Sequence, residues 1–302
     1  MREKAIQFGN YKNLIGVVTE LDNPPGHDAP AVVLLNAGLI HRIGPNRLYV
    51  KLARALQASG CYVLRFDLSG VGDSLPRPDH MPVEKFTIDD TEQAIDYLAS
   101  NYGCQRFVLM GHCAGAYHSF RTAVQDRRVA GVVMMNPDGG ETEWIEYDRK
   151  RKLARYYTNY YSKVTLLDPQ RWKRFLTGKV SYRNVLKNAF QVVLWGKISG
   201  FLFRIKRRFA LQQPSPAVEQ LFTMEAILQK LFELDTRVLL IYSENATSLE
   251  RIQSGKGKAL KQLAADHKLQ LSVIPGADHI FSPLASQANL VRVITQWIQE
   301  VS

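Results

Sequence analysis

The chain has 302 residues, of which 46% are hydrophobic and 22% charged, ordinary globular usage that excludes a disordered, collagen-like or disulfide-stapled protein. Its net charge of +11 is unevenly held: residues 149–208 contain 17 Lys/Arg and one acid, Asp168, a balance of +16, against 22 basic and 27 acidic residues elsewhere, so any argument from charge to a partner concerns that segment. Cys61, Cys104 and Cys113 cannot all pair and show no zinc-type spacing, and there is neither a signal core at the N-terminus nor an apolar run of bilayer length, which implies a soluble protein of a reducing, cytoplasmic compartment needing no metal or cofactor.

In chain order, two alternating stretches, Lys4–Tyr11 and Asn13–Leu21, read as an opening hairpin, and the loop Asp22–Pro30 with its three prolines follows. Ala31–Ala37 is a continuous apolar run of the kind buried on both faces of a sheet, and Asn46–Ser59 has apolar residues at helical spacing. Tyr62–Asp67, Phe107–Met110 and Val129–Asn136 are the next expected strands, with helices at Val83–Ser100 and Ala114–Gln125. The alternation stops near Pro137 and resumes with a strand at Arg237–Tyr242, a helix near Ser248–Asp266, a strand at Leu269–Ile274 and a closing helix at Ala285–Val301. This rhythm predicts an α/β fold with a mostly parallel central sheet and helices on both faces. Residues 1–137 and 236–302 make its core, and 138–235 a helical, strongly basic cap insertion.

Gly111-His112-Cys113-Ala114-Gly115 lies between an expected strand and an expected helix. That placement suits a nucleophile elbow: a tight turn lifts the nucleophile to the tip, and small neighbours let strand and helix approach. The helix N-terminus favours negative charge on sulfur. Gly276-Ala-Asp-His279 follows the last expected strand, so His279 is the candidate general base. His112 is adjacent to the nucleophile on the strand side and His118 lies along the helix; with His27, His41, His80 and His267 they rank below it. An oxyanion hole needs two backbone N–H groups. One is expected from Ala114, the other from Leu39 or Gly38 in the turn after the Ala31–Asn36 strand.

Together these parts resemble the α/β-hydrolase superfamily over nearly the whole chain. The elbow, the early oxyanion turn, Asp67-x-x-Gly70-x-Gly72-x-Ser74 and the late histidine occur in that family's order. Asn36-Ala-Gly38, Arg42-Ile-Gly44, Leu52–Leu56, Leu64–Asp67 and the stretch from Leu167 to Ser181 look more narrowly like the exosortase-associated hydrolases, whose members also carry cysteine at the elbow. The resemblance implies a triad acid after the Arg237–Tyr242 strand, but its aspartate position is Ala246 in Ser243-Glu-Asn-Ala246. Glu244, one methylene longer and two residues earlier, is the first substitute, Asp138 the second and Glu250 a distant third.

The expected function is acyl transfer through an acyl-cysteine at Cys113, either hydrolysis of an ester or thioester or transfer to another acceptor. The alternative is a catalytically silent binding protein that uses its basic segment for an anionic partner. That segment clusters cations at Arg149–Lys152, Arg171–Arg174 and Lys206–Arg208 among tyrosines and tryptophans. It suits a solvated cap, a dock for an acyl-carrier protein or coenzyme A, or peripheral contact with an anionic membrane. No nucleic-acid module accompanies it.

Overall fold

Apolar runs that alternate between two destinations build a sheet covered on both sides, and the strands here do so residue by residue. The computed structural model describes residues 1–22, 30–137, 224–244, 246 and 269–301. Most of the 22–30 loop, the helix expected near 248–266, Asp138, Glu250 and the basic segment 149–208 lie outside the described residues. The chain divides into two compact units, Met1–Gly139 with Thr223–Ser302, and Gly140–Phe222; the described residues belong to the first.

Eight strands form one sheet in the order β1-β2-β4-β3-β5-β6-β7-β8: β1 Arg2–Phe8, β2 Leu14–Glu20, β3 Ala31–Leu35, β4 Val63–Asp67, β5 Phe107–His112, β6 Val129–Met135, β7 Arg237–Ser243 and β8 Leu269–Ile274. β2 pairs antiparallel with β1 and β4, and the remaining pairs are parallel. The helices are α1 Leu48–Ala58, α2 Val83–Tyr102, α3 Ala114–Ala123, α4 Met224–Glu233 and α5 Leu284–Val301.

The expected hairpin is present, with its first strand two to three residues earlier than the alternation suggested. Gly9 at φ 87° leaves the strand, and Lys12 at φ 50° donates its N–H to the Gly9 carbonyl at 2.9 Å, so Gly9–Lys12 are spent on the turn. β5 runs to His112 rather than stopping at Met110.

Alternate residues divide the core. Val32 and Leu34, Val108 and Met110, Val133 and Met135, Leu239 and Ile241 pack with Leu48, Leu52 and Leu56 of α1 and Leu290, Ile294 and Trp297 of α5. Their neighbours Val33, Leu35, Leu109, Val132, Met134, Val238 and Leu240 face the opposite way, toward Ile95 and Leu98 of α2 and Phe120 of α3. Burial of each such side chain contributes about 1.5–3 kcal/mol. The second layer also holds Leu228 and Leu231 of α4, both fully buried, so the sheet's packing reaches back into residues that sequence reasoning had counted with the insertion.

Gly131 in β6 leaves room for Trp297: a Cβ there would stand 2.9 Å from Cη2 of the indole. Gly131→Val is expected to displace α5 and lower stability by about 1–3 kcal/mol, as overpacked core positions do. Urea unfolding followed by tryptophan fluorescence measures it.

Candidate functional site

Parallel register brings the carboxyl ends of β3, β5, β6, β7 and β8 into one row, with Leu35 beside Gly111, His112 beside Met135, Met135 beside Ile241 and Ser243 beside Ile274. Ligands of open α/β sheets bind at this edge. Cys113 sits in the row between β5 and α3 with φ 54° and ψ −116°, a left-handed conformation that costs a residue with a Cβ on the order of 1–3 kcal/mol. Its N–H donates to the Met135 carbonyl at 2.9 Å and its carbonyl accepts from Ala116 at 3.1 Å.

The flanking glycines are required by contact. A Cβ on Gly111 would lie 2.1 Å from the Gly115 carbonyl carbon, and one on Gly115 would lie 2.5 Å from the Asn36 oxygen and 2.7 Å from the Leu35 oxygen. Strand, helix and the end of β3 thus meet backbone to backbone. The buried Tyr49 hydroxyl reinforces the junction, donating to the Leu35 carbonyl at 2.8 Å and accepting from the His112 N–H at 3.0 Å. Burial holds this phenol well above its ordinary range.

The turn after β3, where the second oxyanion donor is expected, is built around Asp67, whose side chain is fully buried. One carboxylate oxygen accepts from the Asn36 side-chain amide at 2.9 Å and from the Arg42 backbone N–H at 2.6 Å. The other accepts from the Arg42 guanidinium and, at 3.2 Å, from the Asp73 N–H. Asn36 also donates to the Ile40 carbonyl at 2.9 Å and accepts from the Leu68 N–H at 2.8 Å. Gly72 is close enough that its Cβ would fall 2.3 Å from Asp67. These bonds fold residues 36–42 into a turn whose first carbonyl faces Gly115. Gly38 turns at φ 63°, and among the described residues neither its N–H nor that of Leu39 has an acceptor. Ala114, first residue of α3, has no carbonyl one turn back. Among the described residues, no acceptor is therefore found for any of the three expected oxyanion donors.

His279 is exposed, with its ring centroid 4.9 Å from that of His112. Its carbonyl accepts from Nε2 of His112 at 2.6 Å and from Nδ2 of Asn136 at 2.8 Å, which brings the loop of His279 to the residue preceding Cys113. Glu244 is exposed at the end of β7 and its carboxylate accepts the Gly276 N–H at 2.7 Å. It thus holds the loop that carries His279, and among the described residues no carboxylate meets the imidazole.

Cys61 and Cys104 are buried and their thiols are pushed up by burial, to about 12 and about 11; Cys113 is half-buried. His41, Asp67 and Asp73 offer three ligand atoms within 4.8 Å of one another. The Arg42 guanidinium already contacts both carboxylates, Asp73 at 2.7 Å, and holds the Asp73 carboxyl below the usual range; a cation therefore occupies the place a metal would take. Sequence reasoning ranks His112 below His279, and it gives Asn136 and Arg42 no role of their own. Asn136 closing an apolar strand at the active edge was the available signal.

Asp67→Ala removes an acceptor from the Asn36 amide and from the half-buried Arg42 guanidinium, which keeps Asp73. It is expected to cost about 1–3 kcal/mol, as leaving a buried donor without its acceptor does, measured by urea unfolding. Gly115→Ala, with no acceptable position for its methyl group, is expected to give little folded protein, read from soluble yield and circular dichroism.

Residues 30–282 match the family described as alpha/beta hydrolase fold. Esterase EstD of Thermotoga maritima is 29% identical over 128 residues, which is 41% of this chain and 31% of that relative, so the match spans about a third of the esterase's length. Among solved structures, an esterase from Pyrococcus furiosus aligns with a TM-score of 0.58 at 14% identity, covering 99% of this chain and 91% of that one. Dienelactone hydrolase from Anabaena variabilis aligns at 0.55 and 15% identity, covering 99% and 97%. With the family match running from β3 past His279, on a sheet of this order and an elbow of this shape, the chain belongs to the α/β-hydrolase family.

Proposed function

We propose that the protein is an acyl-transfer enzyme that forms an acyl-cysteine at Cys113, acting on an ester or thioester. The observation that carries this reading is the elbow: Cys113 at positive φ between two glycines whose hydrogens are in contact with neighbouring backbone. A fold does not retain such strain at a buried filler residue without a use for it. The similarity to esterases agrees with ester chemistry.

In the proposed reaction His279 takes the Cys113 proton, and Sγ attacks the acyl carbonyl carbon. The amides of Ala114 and of Leu39 or Gly38 donate to the resulting oxyanion. The intermediate collapses with cleavage of the bond to the leaving alcohol or thiol, which receives the proton from His279. Water, or a second nucleophile in a transferase, then attacks the acyl-cysteine and releases Sγ. Glu244 acts in this scheme through the Gly276 N–H, steadying the base's loop. A thiol needs less assistance than a hydroxyl to ionise, so a Cys/His pair tolerates an acid that does not touch the imidazole.

The +16 charge of residues 149–208 supports a cap whose cations receive an anionic acyl carrier, either coenzyme A phosphates or an acidic carrier protein. Peripheral attachment to an anionic membrane is the competing use of the same charge. No helix among the described residues is long and apolar enough to cross a membrane. A second reading, a silent binding protein, is favoured by one observation: the carboxylate of Glu244 is engaged by Gly276 and not by His279.

Incubation with p-nitrophenyl acetate or an acyl-coenzyme A, followed by intact mass, separates the two readings. An acyl adduct and turnover that vanish in Cys113→Ala are expected, with Glu244→Gln reducing turnover by a smaller factor; full turnover in Cys113→Ala rejects the cysteine mechanism, and no adduct in wild type supports the silent protein. Alkylation at pH 8 is expected to modify Cys113 ahead of Cys61 and Cys104, whose raised thiols stay protonated there, as peptide mapping would report. Turnover of the acyl-coenzyme A is expected to weaken with salt more than turnover of the neutral ester, and binding to anionic vesicles at low salt would favour the membrane instead.

A further inference from the structure

A general base carried on a surface loop is only as well placed as its backbone. The His279 carbonyl is held by two inward donors, Nδ2 of Asn136 and Nε2 of His112. The first is the more connected. Asn136 is fully buried at the end of β6. Its Oδ1 accepts the Ser243 N–H at 2.8 Å and Oγ at 3.3 Å, and its own N–H donates to the Ile241 carbonyl at 2.7 Å. The preceding residue, Met135, accepts the N–H of Cys113.

One side chain therefore spans from the end of β7, where Glu244 begins, to the loop of His279, and its strand neighbour holds the nucleophile. The two ends need opposite chemistry, an acceptor toward Ser243 and a donor toward His279. Only an amide of this length supplies both: aspartate has no donor when ionised, leucine has neither group, and serine is too short. Asparagine is also among the side chains that best tolerate φ 44°. His112 complements it. Its ring lies 4.9 Å from that of His279 and 5.9 Å, edge-on, from Phe281, and its Nε2 must carry hydrogen to serve the carbonyl.

We infer that Asn136, assisted by His112, is the positioning residue of the catalytic base: it sets the main chain of His279 relative to Cys113 and ties the acid's strand to the base's loop. The inference rests on the reading of Cys113 and His279 as the reacting pair. It makes the base's position depend on a buried amide that touches neither substrate nor the reacting atoms.

The test uses the full chain carrying Asn136→Asp, which keeps the shape and sets an oxygen against the His279 carbonyl. His112→Phe, which keeps a ring against His279 and Phe281 but removes the donor, runs beside it. Two quantities are read: kcat and KM for p-nitrophenyl acetate, and the pH midpoint of Cys113 alkylation by iodoacetamide, with His279→Ala as the reference for a thiol lacking its base. For folded Asn136→Asp the expected result is a kcat at least tenfold lower, KM within twofold, and an alkylation midpoint moved upward toward that of His279→Ala. His112→Phe moves both in the same direction by less. An unchanged midpoint in the folded variants overturns the inference, even where activity falls in step with melting temperature, because that is the behaviour of a purely structural residue. If Asn136→Asp does not fold, the His112→Phe midpoint decides. Failure of the underlying reading has a different signature: Cys113→Ala retains turnover, or His279→Ala leaves the wild-type midpoint unchanged.

Discussion

The site depends on the distance between three stretches of main chain. β5, α3 and the end of β3 converge until Gly115 stands against the carbonyls of Leu35 and Asn36 and Gly111 against Gly115 itself. No side chain fits there, and the convergence forces the single intervening residue into a left-handed conformation. The strain is on the order of 1–3 kcal/mol. It is sustained because the sheet beneath is packed on both faces by fully buried residues, each worth a comparable amount. The core is thus the reason a side chain can be held at so sharp a corner.

On either side of the elbow a buried polar side chain organises a loop. Asp67 gathers the turn after β3 through Asn36, Arg42 and Asp73. Asn136 gathers the ends of β7 and of the loop after β8. Both are fully buried, both are satisfied on each polar end, and each makes two bonds with backbone groups. Such satisfied networks specify one arrangement, since any other leaves a desolvated group without a partner. The loops of this edge are therefore defined by polar contacts, whereas the strands that carry them are defined by apolar ones.

That division explains how much could be read from the sequence. Strands such as Ala31–Leu35 and Val129–Met135 announce themselves by unbroken apolar runs, and the Gly-x-Cys-x-Gly spacing marks the elbow, because both depend on local composition. The order of the parts along the chain places His279 near the same edge. Asn136 and Arg42 escape such reading. The bond from Asn136 to His279 joins residues 143 apart and that from Arg42 to Asp67 residues 25 apart, so only the folded chain reveals them. Glu244 shows the opposite case: its position suggested an acid, while the structure reveals which group its carboxylate meets, the Gly276 amide.

The contacts described at the elbow are made by peptide groups, by the Tyr49 hydroxyl and by glycines that leave no room for a side chain. The positive φ of position 113 is thus imposed by its neighbours' main chain. On the proposed reading, the sheet and its two polar hubs prepare a corner at which any side chain would be lifted clear of the strand, and the atom that the residue at 113 carries there sets the kind of bond exchanged.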